Sequence, residues 1–230
     1  MTKKTSSPAE KMLAEKGTGS GPVSRRKFLN YAGASAGLAL MAAACKKNDD
    51  NGVDLGSGDI GILNYAYALE QLEAAFYMQV ITTPYSGMTA DEKTFLTDIR
   101  DHEIAHREFF KNAIGSMAIP GLEVDFSSIN FSSRDSVLGT AKAFEDLGVS
   151  AYDGAGYLLK DPNYLLLAGK IVSVEARHAA LIRELISPNT FLGDQVDAAS
   201  VNISRTPAEV LAIAGTYIKT KINASNLPTG

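Results

Sequence analysis

Three histidines occur in the whole chain, His102, His106 and His178, and two of them stand three residues after a glutamate. The pairs are Glu103 with His106, in EIAH, and Glu175 with His178, in EARH. With only 12 Glu in 230 residues, the repeat is too sparse in its components to be coincidence. On a helix, residues three apart lie on one face, so each pair can present a carboxylate and an imidazole side by side. That combination suits acid–base work or a hard to borderline divalent cation such as iron or manganese. The three/four rows through the pairs are Leu96, Ile99, Glu103, His106, Phe110 and Ile171, Glu175, His178, Ile182, Leu185. Both rows are otherwise apolar, which places the pairs on packing faces rather than solvated ones.

Two further segments match each other. ALEQLEAAFY (68–77) aligns with AFEDLGVSAY (143–152), setting Glu70 on Glu145 and Tyr77 on Tyr152. The offset is 75 residues here and 72 for the Glu-x-x-His pairs, so the chain reads as two copies of one helical hairpin. Four glutamates and two histidines then face one interior. Unpaired buried carboxylates cost several kcal/mol each, against a total stability of about 5–15 kcal/mol, so this interior needs counter-charge. Glu73 lies on the same row as Glu70 and competes with it; the internal match to Glu145 favours Glu70. Tyr77 and Tyr152 read as core tyrosines bonded to the buried carboxylates. His102 is assigned to the surface or to a place behind a ligand, and Glu92, Glu108 and Asp146 to solvated or capping roles.

The elements that must position these groups are helices. Asp59 can cap a first helix reaching about Thr82; Thr89 with Glu92 forms a capping box for a second ending near Gly115. After a long connection through Pro120 and Gly121, Ser133 or Asp135 starts a third helix, through Tyr157. Pro162 opens a fourth, running to Ile186 before Pro188. Thr206, Pro207 and Glu209 begin a short fifth, to about Ile222. Two short links and one long one predict an all-α, single-crossover four-helix bundle over 59–222, with the small fifth helix appended.

One Glu from each of two helices and Glu-x-x-His from each of the other two is the ligand layout of dinuclear carboxylate sites. On these motifs the chain resembles the ferritin-like family, over roughly residues 59–187, in the exported branch that includes desiccation-related proteins. The resemblance implies a centre of two iron or manganese ions. Glu70 and Glu145 would be terminal ligands, Glu103 and Glu175 bridging ones, and His106 and His178 would bind one metal each. It further implies an oxidoreductase acting on dioxygen, peroxide or ferrous iron. The alternative is a non-enzymatic metal-binding or structural helix bundle. Many di-iron members carry an Asp directly before the Glu of Glu-x-x-His, orienting a ligand histidine. Those positions are His102 and Val174 here, a departure that bears on reactivity more than on metal binding.

The N-terminal 45 residues are expected to lie outside the bundle. SRRKFLNYAGASAGLALMAAAC (24–45) sets a basic cluster before a short apolar stretch, the layout of an export signal, and its adjacent arginines resemble a twin-arginine signal. Cys45, the only cysteine, follows three alanines, as in a lipobox; lipidated there, it would tether the protein to a membrane at the periplasmic or cell-surface side. Residues 46–58 read as a flexible tether. Removing the seven Lys/Arg and two Glu before Cys45 leaves 15 basic and 24 acidic residues, a net charge of about −9. That balance argues against nucleic acid as a partner and is compatible with cations.

Overall fold

The computed structural model describes residues 52–229, and among them the fold is built from five α-helices and one minimal two-stranded sheet. The export signal, the lipidation site Cys45 and residues 46–51 of the expected tether lie outside the described residues. The order is β1 (Val53–Asp54), α1 (Gly58–Thr82), α2 (Ala90–Ile114), α3 (Arg134–Gly156), α4 (Pro162–Ile186), α5 (Pro207–Ala214) and β2 (Ile222–Asn223). No helix among the described residues is long and apolar enough to cross a membrane.

Helix boundaries follow local chemistry. Thr89 Oγ1 accepts from the Glu92 amide at 3.1 Å while Glu92 returns a bond to the Thr89 amide at 2.9 Å, a complete capping box. Thr206 and Glu209 repeat the device at α5, with Pro207 at the first helical position. Ser133 and Asp161 cap α3 and α4. Asp59 differs from its expected part: α1 begins at Gly58 behind Ser57, and the Asp59 carboxylate instead accepts from the amides of Lys160 and Asp161, each at 2.9 Å. It thereby ties the start of α1 to the α3–α4 turn.

α1 pairs with α2 and α3 with α4, and contacts between α1 and α3 and between α2 and α4 close the bundle. The long crossover, 115–133, runs over the outer face of α1. Two buried polar side chains hold it there. Asn64 donates to Leu55 O and Met117 O, both at 3.0 Å, and accepts from the Ile119 amide at 2.9 Å. Gln71 accepts from the Leu122 amide at 2.8 Å. Covered on both sides, α1 is buried around nearly its whole circumference, as its apolar composition requires. Phe76, fully buried, packs edge-on to Phe126 and Phe144, with ring centroids at 6.0 and 5.1 Å. Aromatic pairs of this kind contribute about 0.5–1.5 kcal/mol beyond their burial.

Two expectations are corrected at the chain ends. The tether was placed over 46–58, yet Val53–Asp54 pairs in parallel with Ile222–Asn223, and Leu55 is fully buried. Two apolar side chains in an otherwise polar, Gly-rich run, Leu55 in the core and Val53 packed against it, dock the segment. The fifth helix stops at Ala214 rather than near 222, because Gly215 begins a turn and the following residues are used elsewhere. Tyr217 O accepts from the Asp125 amide, and the Lys219 amide donates to Glu123 O, both at 2.8 Å, so this segment runs against the crossover.

Candidate metal centre

Midway along the bundle the six residues singled out by the repeat converge. Glu70 comes from α1, Glu103 and His106 from α2, Glu145 from α3, and Glu175 and His178 from α4. They form two overlapping groups, Glu70, Glu103, His106, Glu175 and Glu103, Glu145, Glu175, His178; within each, one ligating atom per residue lies within 4.8 Å of every other. Glu103 and Glu175 belong to both. Each group thus has its own Glu and His and a share in the two common carboxylates, an arrangement repeated between the two hairpins.

The carboxylates are sealed from solvent: Glu103, Glu145 and Glu175 have no exposed surface and Glu70 is 1 % exposed. His106 Nδ1 stands 2.8 Å from Glu175 Oε1 and 3.5 Å from Glu70 Oε2; His178 Nδ1 stands 2.9 Å from Glu103 Oε1 and 3.3 Å from Glu145 Oε2. Short as these are, none has the alignment of a hydrogen bond. Both Nδ1 atoms, both oxygens of Glu103 and Glu175, and Oε2 of Glu70 and Glu145 have no hydrogen-bond partner. Buried polar atoms left so in a native interior are rare. Here they aim at common points, so the donor set fits cations.

Electrostatics point the same way. Burial and the charge of Glu175 push the Glu103 carboxyl well above its ordinary range. Burial raises Glu145 to about 7, against the pull of His178. Glu175 is also raised by burial, but the contacts with His106 and His178 outweigh it and hold the group at about 2. Burial works against the charged imidazole of His178, yet the surrounding carboxylates raise it to about 12, and His106 is raised likewise. Protons thus occupy the imidazoles and some of the carboxyls, and a metal ion must displace them.

Each tyrosine reaches across to the other hairpin. Tyr77 on α1 donates its hydroxyl proton to Glu145 Oε1 on α3, and Tyr152 on α3 donates to Glu70 Oε1 on α1. Burial and these carboxylates keep both phenols protonated, well above their usual range. Each bond fixes one oxygen and leaves the other facing the centre. Glu73 is buried too, but belongs to neither group of convergent atoms. It fills the space left at Gly148, its counterpart in the second hairpin; a Cβ there would lie 3.2 Å from Glu73 Oε1. Burial and the neighbouring carboxylates raise its pKa well above the usual range.

His102 lies behind His178, the second of its two expected places, and Asp146 departs from its solvated or capping reading. His102 Nδ1 lies 2.9 Å from His178 Nε2, on the far side of that ring from the cluster. Asp146, read as solvated or capping, is only 12 % exposed and paired with the buried Arg183. The place of His102 immediately before Glu103 is the signal for its position; nothing in the local sequence marks Asp146, whose partner is on the next helix.

The bundle, its crossover and this cluster are those of a ferritin-like protein. Residues 58–188 match the family model of the ferritin-like domain, and the chain belongs to that family. No curated protein sequence matches the chain at a significant level.

Proposed function

We propose that the cluster holds two iron or manganese ions and that the protein is an oxidoreductase acting on dioxygen. The observation that carries this reading is the pair of overlapping four-residue groups with their unpartnered, converging oxygen and nitrogen atoms. Glu70 and His106 would hold one ion, Glu145 and His178 the other, and Glu103 and Glu175 would be shared. A redox-active pair held there would supply the electrons for reducing an oxidant. The protein's own part is to exclude water, to fix Glu70 and Glu145 through the tyrosine hydroxyls, and to give up the imidazole protons on loading.

Among dioxygen, peroxide and ferrous iron as substrates, dioxygen is favoured by a cavity of about 30 Å³ within the bundle. Ala66, Leu69, Phe110, Ala151 and Ala155 are in its wall, and Tyr152, which bonds Glu70, adjoins the centre. The wall is apolar almost throughout. A small apolar molecule enters such a space without the desolvation cost that peroxide or a hydrated cation meets. The twin-arginine-type signal and Cys45 complete the proposal as an exported, lipid-anchored protein at the periplasmic or cell-surface side, whose partners are metal ions and the membrane.

The complete burial of Glu103, Glu145 and Glu175 favours a second reading, a cation serving stability alone in a non-enzymatic bundle. Elemental analysis after reconstitution, with dioxygen uptake on adding ferrous iron, separates the two. About two ions per chain, lost in Glu103→Ala/Glu175→Ala, with dioxygen consumed, supports the oxidoreductase. Metal bound without dioxygen consumption supports the second reading, and no metal bound refutes both.

A further inference from the structure

The repeat that relates the two groups of ligating residues is broken directly behind the histidines. We infer that His102 is a positioning residue for His178 and makes the two positions unequal, the one formed by Glu145 and His178 taking metal more tightly than the one formed by Glu70 and His106. The inference rests on the dinuclear reading above.

The geometry is specific. The His102 and His178 ring planes are inclined by 14°, with centroids 5.1 Å apart and Nδ1 to Nε2 at 2.9 Å. That centroid separation is close to the nitrogen–nitrogen distance plus one ring radius on each side. The two imidazoles therefore lie edge to edge in nearly one plane, the arrangement of an N–H···N hydrogen bond rather than of face-to-face stacking. His178 Nδ1 faces the carboxylates, 2.9 Å from Glu103 Oε1. With Nδ1 committed to the centre, Nε2 carries the proton and donates it to His102 Nδ1. His102 in turn keeps its own proton on Nε2. The bond fixes both the tautomer and the ring plane of His178, the two quantities that decide how well an imidazole ligates.

The other half lacks this device. The residue matching His102 in the internal repeat is Val174, directly before Glu175, and its side chain can neither donate nor accept. Among the described residues no hydrogen bond runs to His106 Nε2, so that ring meets the carboxylates through Nδ1 with no hydrogen-bonded side chain behind it. It is also the more open of the two, its side chain 13 % exposed against 5 % for His178. The same fold thus offers one position with a pre-oriented imidazole and one without.

The test uses the metal-free full chain, and manganese(II) as the probe. In wild type, calorimetric titration should resolve a tight and a weak step. His102→Ala should weaken the tight step by about 10- to 100-fold, the range for losing a partner behind a ligating histidine, and leave the weak step within about 2-fold. His102→Gln, whose carbonyl oxygen can accept from Nε2–H, should restore most of the loss. Val174→His should strengthen the weak step. A second readout needs no metal: the His178 Nε2–H proton should give a slowly exchanging, downfield NMR signal in wild type that disappears in His102→Ala. Because His102 is on the exposed side of α2, the fold should survive each change, which circular dichroism checks. Uptake that His102→Ala leaves unchanged, or weakens equally in both steps, overturns the positioning role alone. No manganese uptake by wild type overturns the dinuclear reading together with this inference. Absence of the N–H signal in wild type overturns the contact itself.

Discussion

Replacing Glu145 with glutamine should stabilise the metal-free protein at alkaline pH while destroying its advantage with metal. Glu145 is fully buried, and its carboxyl is raised from an ordinary 4.5 to about 7, by burial first, with His178 pulling the other way. At about 1.4 kcal/mol per unit, the ionised form is disfavoured in the fold by about 3 kcal/mol. The sign follows from the raised folded value. The stabilising contribution of the protonated acid is complete below pH 4.5 and is lost as pH rises through about 7. Glutamine copies the shape of the protonated acid, can still accept the Tyr77 hydroxyl proton, and never ionises. In chelator, Glu145→Gln should therefore match wild type near pH 4.5 and exceed it by about 3 kcal/mol near pH 8.5, moving the urea midpoint upward by about 1–2 M. With saturating manganese the order should invert, because only wild type keeps both positions complete. Equal stability at pH 8.5 without metal, or a gain of the same size at both pH values, would refute the reasoning that the site is an ionisation strain relieved by cations.

Manganese affinity should rise between pH 6 and pH 8, since loading removes protons from His178, raised to about 12, and from Glu145 as it passes about 7; titrations in buffers of different ionisation enthalpy would show protons released on binding. Gly154→Ala should destabilise by about 1–3 kcal/mol in urea, because a Cβ there would sit 1.8 Å from the backbone oxygen of Arg205 and force apart the segment that enters α5. Arg183→Ala should cost about 3–5 kcal/mol by stranding Asp146, whereas Arg183→Met with Asp146→Leu should recover most of it, both read from thermal or urea unfolding.

The helices that carry the cluster were legible because their signals are local. Capping boxes at Thr89 and Thr206, Pro162 at a helix start, and apolar rows interrupted by Glu and His are all contained within a few turns. The hairpin repeat supplied Glu70 and Glu145, which no single window would have distinguished from surface carboxylates. What stayed hidden depends on partners far along the chain. Leu55 sits in a run whose composition reads as solvated, yet it joins the core, held by Asn64 on α1 and by Asn223 far along the chain. The segment after Ala214 has the apolar content to continue a helix, but Tyr217 and Lys219 are drawn onto the crossover instead. For His102 the surface and a place behind a ligand both stayed open because it lies off the core row of its own helix; its partner is on α4, and the meeting is set by the packing of α2 against α4.

The parallel clasp of β1 on β2 imposes an order on how the protein can be made. By the time Ile186 has left the ribosome, every carboxylate and imidazole of the cluster exists, and the four helices that carry them can assemble. Val53 and Asp54, among the first of the described residues to emerge, have no ladder partner until Ile222 and Asn223 arrive, well after Ile186. The leading edge of the domain is thus sewn down last. Until then the amides of Val53 and Leu55, which donate to Lys221 and Asn223, have only solvent to bond. A nascent chain interrupted before residue 222 would carry a complete cluster behind a loose N-terminal edge, so a protease at that edge distinguishes finished molecules from unfinished ones.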